Sequence, residues 1–242
     1  MTDKLRDQVF ARNLSEIKAF EFNETVVDVF QDMISRSVPG YPLLLRMIDL
    51  YAAVFVQPQS RVYDLGCSLG DATLLIAERT RDLQRELIAV DNSEAMIEKC
   101  RAQFAQRSDI DWRCEDIQQT EIENASMVVL NLTLQFLPPP ERQQMLEKIY
   151  RGMNPGAVLV LSEKVVYADA DENERMRTLH LAFKKTMGYS DLEISQKRTA
   201  LENVLVPDES QQHIDRLRQI GFAEVYQCFR CFNFVSYLAI KA

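Results

Sequence analysis

A Rossmann-like α/β domain, a largely parallel sheet flanked by helices, is the fold this sequence predicts, and three observations predict it. The first is Arg61–Gly70, RVYDLGCSLG, where apolar Val62, Tyr63 and Leu65 run into Gly66 and Gly70 and a helically spaced run, TLLIAERT, follows. That is strand, tight turn, helix. The second is Asp91, 21 residues beyond Gly70 at the end of a buried-strand pattern, LIAVD, where such folds hold ribose hydroxyls. The third is the alternation of apolar runs with amphipathic helical runs up to Lys164. A nucleoside ligand follows: the glycine turn lets backbone approach it, and the helix start offers unpaired N–H groups.

The glycine spacing narrows the ligand. A dinucleotide site uses G-x-G-x-x-G, whereas Asp64–Gly70 reads D-x-G-x-S-x-G, with Ser68 where a second glycine would stand. The pattern resembles motif I of the class I S-adenosylmethionine (SAM) methyltransferases. Gly66, Ser68 and Gly70 also spell the nucleophile elbow of an α/β-hydrolase. That elbow normally follows several strands, yet the preceding segment is mostly helical in pattern and the chain has only two histidines.

At 242 residues the chain suits one α/β domain with an insertion. A net charge of -8, a sequence pI near 5.0 and no basic run disfavour direct binding to nucleic acid. No apolar stretch reaches the roughly 18 residues of a membrane span, and the N-terminal sequence lacks a signal-peptide core. A cytoplasmic protein is expected. Five cysteines with no framework spacing read as reduced thiols. Cys228 and Cys231 form a lone C-x-x-C among strand-like residues, short of a zinc site, and no metal is expected.

In chain order, residues 1–22 are charged and weakly patterned, an expected loose or partner-dependent arm ahead of a single domain over 23–242. Val26, Val27, Phe30, Met33 and Ile34 share a helical face, and Pro42 opens the next helix as a first-turn proline. Between them stands Tyr41, either a turn aromatic packed between helices or a ring over a sulfonium, attracted by its π face. Ser93 caps the helix EAMIEKCRAQF. A third strand, IDWRCED, ends at Asp116 with Ile117 next, and a fourth, MVVLNL, brings Asn131 to its carboxyl end, where open α/β sheets bind ligands. An amphipathic helix on Met145, Leu146, Ile149 and Met153 leads into AVLVLSEK, the fifth strand. Residues 165–206 depart from the alternation and read as a polar helical insertion, the expected lid and substrate-selecting region. There Lys197 and Arg198 read on spacing alone as a solvated helix face. A helix and two adjacent strand-like runs close the chain and fit a terminal antiparallel hairpin.

SVPGY, YDLGCSLG, IENASMVVLN with LTLQFL, LSEK, GYSDLEISQKR with LEN, and CFNF occur in that order from residue 37 onward. Together they resemble the carboxy-S-adenosyl-L-methionine (carboxy-SAM) synthase family, whose product serves modification of the tRNA wobble uridine. The resemblance implies a class I methyltransferase-like fold: a seven-stranded, mostly parallel sheet with an antiparallel C-terminal strand, N-terminal helices and an insertion after strand five. It implies SAM and prephenate as substrates, carboxy-SAM, phenylpyruvate and water as products, a homodimer, and a hand-over to the downstream tRNA enzyme. Carried over by motif, Tyr41, Gly66, Cys67, Ser68, Asp91, Asn92, Asp116, Ile117 and Asn131 would hold SAM. Arg198 would grip the added carboxylate, by two parallel hydrogen bonds, rather than act as a base. Prephenate would lose its carboxyl and hydroxyl as its ring aromatises, hydroxide would take a methyl proton from SAM, and the carbanion would capture the CO2. Lys164, His180, Tyr189 and Lys197 are the candidate partners of prephenate. Glu115 stands where the family pattern expects glycine. Two other readings share the cofactor residues: an ordinary SAM-dependent methyltransferase acting on a small acid, and a non-catalytic SAM-binding partner of the tRNA enzyme.

Overall fold

The computed structural model describes residues 6–242. The strands are β1 Ser60–Leu65, β2 Arg85–Asp91, β3 Ile110–Cys114, β4 Ala125–Asn131, β5 Met153–Lys164, β6 Glu224–Cys231 and β7 Phe234–Ile240. They form one seven-stranded sheet in the order β3-β2-β1-β4-β5-β7-β6. Pairs among β1 to β5 are parallel, and β7 runs antiparallel to both β5 and β6. The order reverses between β1 and β4, so a crevice opens beyond their carboxyl ends, as the strand patterns require.

Alternation along the strands builds two cores. Tyr63, Leu65, Val128, Leu130, Leu159 and Leu161 face α5 (Pro139–Gly152) and α8 (Ser210–Ile220), while Val62, Leu87, Met127, Val129 and Val160 face α2 (Tyr41–Phe55), α3 (Asp71–Arg79) and α4 (Glu94–Gln103). Side chains of period two, buried on both faces, are what a central parallel sheet demands. Ser93 caps α4 by accepting from the Met96 N–H, and Pro42 lies in the first turn of α2. The third strand ends at Cys114, two residues short of Asp116, which stands in the following loop. Among the described residues no single helix is long and apolar enough to cross a membrane.

The expected insertion contains α6 (Ala170–Thr186) and α7 (Asp191–Leu201), the latter opened by a capping box of Ser190 and Glu193. The looseness expected of the arm is not what the structure has between Asp7 and Phe22. That segment lacks helix and strand but is tied to α7: the Gln196 amide donates to the Phe10 and Arg12 carbonyls at 3.0 and 2.8 Å and accepts from the Leu14 N–H at 2.9 Å. The Phe20 N–H reaches the Ala200 carbonyl, and Phe22 packs edge-on against Phe20, α1 (Glu24–Ser37) residue Phe30, and Phe136. Dispersed aromatics and a glutamine in the partner helix give no local periodicity, so sequence patterning misses them.

A buried charge cluster locks the far side of the insertion. Arg142, with its side chain almost fully buried, donates to the Leu137, Gln135 and Val206 carbonyls and pairs with Asp208 at 2.6 Å; Arg216 reaches the other oxygen of Asp208 at 2.8 Å. Removing the carboxylate leaves two desolvated guanidiniums without a counter-charge. Asp208→Ala is therefore expected to cost about 3–5 kcal/mol in urea unfolding, and a loss under ~1 kcal/mol would contradict the role given to the cluster.

Candidate functional site

A cavity of ≈ 370 Å³ lies beyond the carboxyl ends of β1, β2, β4 and β5, under the arm, α1 and the insertion. One end is built by Gly66, Ser68, Asp91, Asn92, Asp116 and Ile117, and Asn131 lines the wall at the end of β4. The turn after β1 is sterically fixed. Gly66 has φ +80°, and a Cβ there would lie 2.3 Å from the Thr133 hydroxyl oxygen, so glycine is required for conformation and for space. Ser68 (φ 49°) and Leu132 (φ 65°) add left-handed backbone at the ends of β1 and β4, strain of a kind that concentrates at ligand sites.

Asp91 ties two loops together. Its carboxylate accepts the Ser68 N–H and the Ser93 N–H, both at 2.9 Å, while burial pushes its pKa up. Below the turn, buried Asp64 accepts from the Thr73 hydroxyl at 2.5 Å, and desolvation raises it to about 6. Asp116 accepts the Gln118 N–H, and Glu115 is occupied by the Thr120 hydroxyl instead of entering the cavity. The Asn131 side-chain oxygen is buried without a hydrogen-bond partner. An orphaned carbonyl dipole in the wall suits a cationic centre.

Four of the sequence-derived positions lie elsewhere. Tyr41 is buried among Val38, Leu44, Leu132, Phe229 and Phe234, its hydroxyl donating to Asp71 at 3.3 Å, so the packed-aromatic reading describes its place and its ring is not part of the cavity wall. Cys67 turns its side chain into the core behind the loop; burial pushes the thiol up, and its backbone N–H goes to the Val90 carbonyl. Arg198 is exposed on α7 outside the cavity lining, whereas Lys197, beside it in sequence, is buried and lines the cavity. Successive helical residues point about 100° apart, and spacing did not tell which of the two faces inward. Tyr189 is also committed elsewhere, donating to Asp7 at 2.5 Å with the Arg36 guanidinium over its ring.

The other end of the cavity is cationic. Lys164 from β5, His180 and Lys184 from α6 and Lys197 from α7 line it. Desolvation lowers all three lysines, Lys184 to about 7 and Lys197 to about 8, and lowers His180 to about 3. His180 Nε2 lies 2.8 Å from the Ser37 carbonyl oxygen. A neutral ring donates that proton. Lys184 escaped the sequence reading, although its i, i+4 spacing from His180 marks one helical face. Phe20, Phe22, Gln135 and Phe136 also line the cavity and were not foreseen.

Sheet order, glycine turn and strand-end acids define the class I SAM methyltransferase-like proteins. In agreement, a family model described as a methyltransferase domain matches residues 62–156, and the fold recurs in solved structures at low identity. Human N-acetylserotonin methyltransferase in complex with SAM matches at 16% identity and TM-score 0.62, covering 90% of this chain and 55% of that one. A complex of the Haloferax volcanii Trm112 methyltransferase activator with a methyltransferase matches at 13% and 0.62, covering 92% and 99%. The chain belongs to the carboxy-S-adenosyl-L-methionine synthase family: it is 51% identical to the Actinobacillus succinogenes enzyme of that name, covering 98% of this chain and 99% of that one, and 47% identical to that of Hahella chejuensis, covering 98% of each.

Glu163, wholly buried beside the cavity, accepts the Leu134 and Gln135 N–H groups at 3.0 and 2.8 Å and so shapes the turn that carries Gln135 and Phe136. Burial outweighs those donors and raises it to about 8. The folded state thus holds a proton that the unfolded state releases near pH 4.5, so this group's stabilisation is complete below that pH and is lost as pH rises through about 8. From pH 5 to 8 wild type should lose stability relative to Glu163→Gln in urea titrations; parallel pH curves would contradict this.

Proposed function

We propose that this chain converts SAM and prephenate to carboxy-SAM, phenylpyruvate and water, supplying the carboxymethyl donor for the tRNA wobble uridine. The observation that carries the reading is one cavity with a nucleoside end, an orphaned amide oxygen at its middle and a cationic end. The residues present fit SAM: Asp91 and Asn92 would hold the ribose, Asp116 the adenine amino group, Ile117 the ring, and Asn131 the region of the sulfonium. Gly66, Ser68 and the backbone of Cys67 would form the turn beneath them. When bound, SAM supplies a methyl group made acidic by the positive sulfur.

The chain's own work is then alignment and exclusion of water. Phe20, Phe22 and Phe136 supply an apolar wall, and the lysines supply charge for an acid co-substrate. His180, the histidine of the lining, is spent on the Ser37 carbonyl, in keeping with a reaction whose proton acceptor is the departing hydroxide of the substrate. Arg198 does not line the cavity of its own chain, and we assign its carboxylate grip to a second copy in a homodimer. A net charge of -8 favours release of a small product to the tRNA enzyme over docking of tRNA here.

Incubation with SAM and prephenate labelled at its ring carboxyl should give a nucleoside that has gained the labelled carbon. A nucleoside that has lost a methyl group would instead favour an ordinary methyltransferase, and tight SAM binding without turnover a non-catalytic partner. Arg198→Ala should weaken retention of carboxy-SAM about tenfold or more, equivalent to ~1.4 kcal/mol, with a smaller effect on SAM. Equal loss of both ligands in calorimetry would refute the assigned grip.

A further inference from the structure

The cationic end holds more charge than its surroundings balance. Lys197 is engaged, donating to the Ser37 hydroxyl at 3.0 Å with Asp7 at 3.7 Å. Lys164 and Lys184 come from different elements, β5 and α6, and their ammonium groups make no hydrogen bond or ion pair among the described residues. The acidic side chains of the lining, Asp91 and Asp116, belong to the nucleoside end. His180 adds no charge, since desolvation and the neighbouring lysines keep it neutral. Two unpaired ammonium groups therefore remain in one cavity, near enough for the Lys164 charge to act on Lys184. Desolvated like charges are unfavourable unless something negative joins them, and their depressed pKa values register that cost.

With the second copy's Arg198 assigned to the carboxylate that SAM gains, the unpaired charges of this chain's own lining point to the ligand. A monocarboxylate would leave one ammonium uncompensated, whereas a dicarboxylate neutralises both. We propose that Lys164 and Lys184 form a dicarboxylate-selecting subsite, supported by Lys197, and that Lys184 is the residue that distinguishes a dicarboxylic co-substrate from its monocarboxylic counterpart. The inference rests on the reading of this cavity as one that takes SAM and an acid together. Lys184 has the stronger claim to the discriminating role because it shares its helix face with His180, whose bond to Ser37 anchors α6 against α1. The ammonium is thus presented from a fixed point, and a charge held by a braced element selects better than one on a free surface.

The test uses the full-length protein saturated with S-adenosylhomocysteine, which has no methyl group to react, titrated calorimetrically with prephenate and with phenylpyruvate. Lys184→Met should weaken prephenate binding about thirtyfold or more, the usual scale for losing one partner of a desolvated charge pair, and change phenylpyruvate binding less than about twofold. Lys184→Arg should restore the preference. Unchanged affinity for S-adenosylhomocysteine and an unchanged melting curve establish that the variant is folded. Equal weakening of both acids, or of neither, overturns the subsite.

A pH series gives a second readout. Around Lys184 the charged and titratable groups are His180 on its own helix, Lys164 at the end of β5 and Lys197 on α7, with Asp7, Asp32 and Arg36 acting on Lys197 from the arm and α1. The preference for prephenate should decline from pH 7 to 9 in wild type and less steeply in Lys184→Met, where Lys164 and Lys197 still titrate; identical profiles overturn the proposal. If the preference depends on Lys184 yet no carboxy-SAM forms, the subsite stands and the proposed reaction falls. If Lys184→Met makes carboxy-SAM with wild-type KM for prephenate, the subsite falls and the reaction stands.

Discussion

The carboxylate of Asp91 is the interaction on which the site depends. By accepting one N–H from the glycine turn after β1 and one from the start of α4, it fixes two loops from two strand ends against each other. Gly66 can then approach Thr133, and the left-handed Ser68 stays where the turn needs it. Without that bridge the nucleoside end would be two separate loops. With it, the strained backbone is determined by contacts on both sides, the condition under which such strain persists.

Charge is distributed in the opposite sense inside and out. The chain is acidic as a whole, yet the insertion and the end of β5 place three lysines around one end of the cavity. Those lysines sit across Asn131 from the two aspartates of the nucleoside end. On the proposed reading, the field of the cavity would draw a cationic nucleoside and an anionic acid to opposite ends before any close contact forms.

Much of this was legible in the sequence, for a physical reason. Gly66, Ser68, Asp91, Asn92, Asp116, Ile117 and Asn131 all stand at or just beyond strand ends, and strand periodicity with glycine spacing locates strand ends well. What was not legible depends on packing between distant segments. Lys197 and Arg198 differ only by a rotation on α7, so the sequence could not say which one enters the cavity. Tyr41 stands beside the site in sequence but is drawn into a cluster with Phe229 and Phe234 from the C-terminal hairpin. Phe20 and Phe22 become cavity wall only because Gln196 and Ala200 hold the arm across it.

The two feet of the insertion are laced together: the Val166 N–H donates to the Asp208 carbonyl, and the Ser210 N–H to the Val166 carbonyl. A segment that leaves and rejoins a scaffold at nearly one point behaves as an exchangeable module, because its length hardly alters the closure entropy and its replacement does not disturb the sheet. One helical cassette can thus be traded for another while the strand ends that build the rest of the cavity wall stay in place.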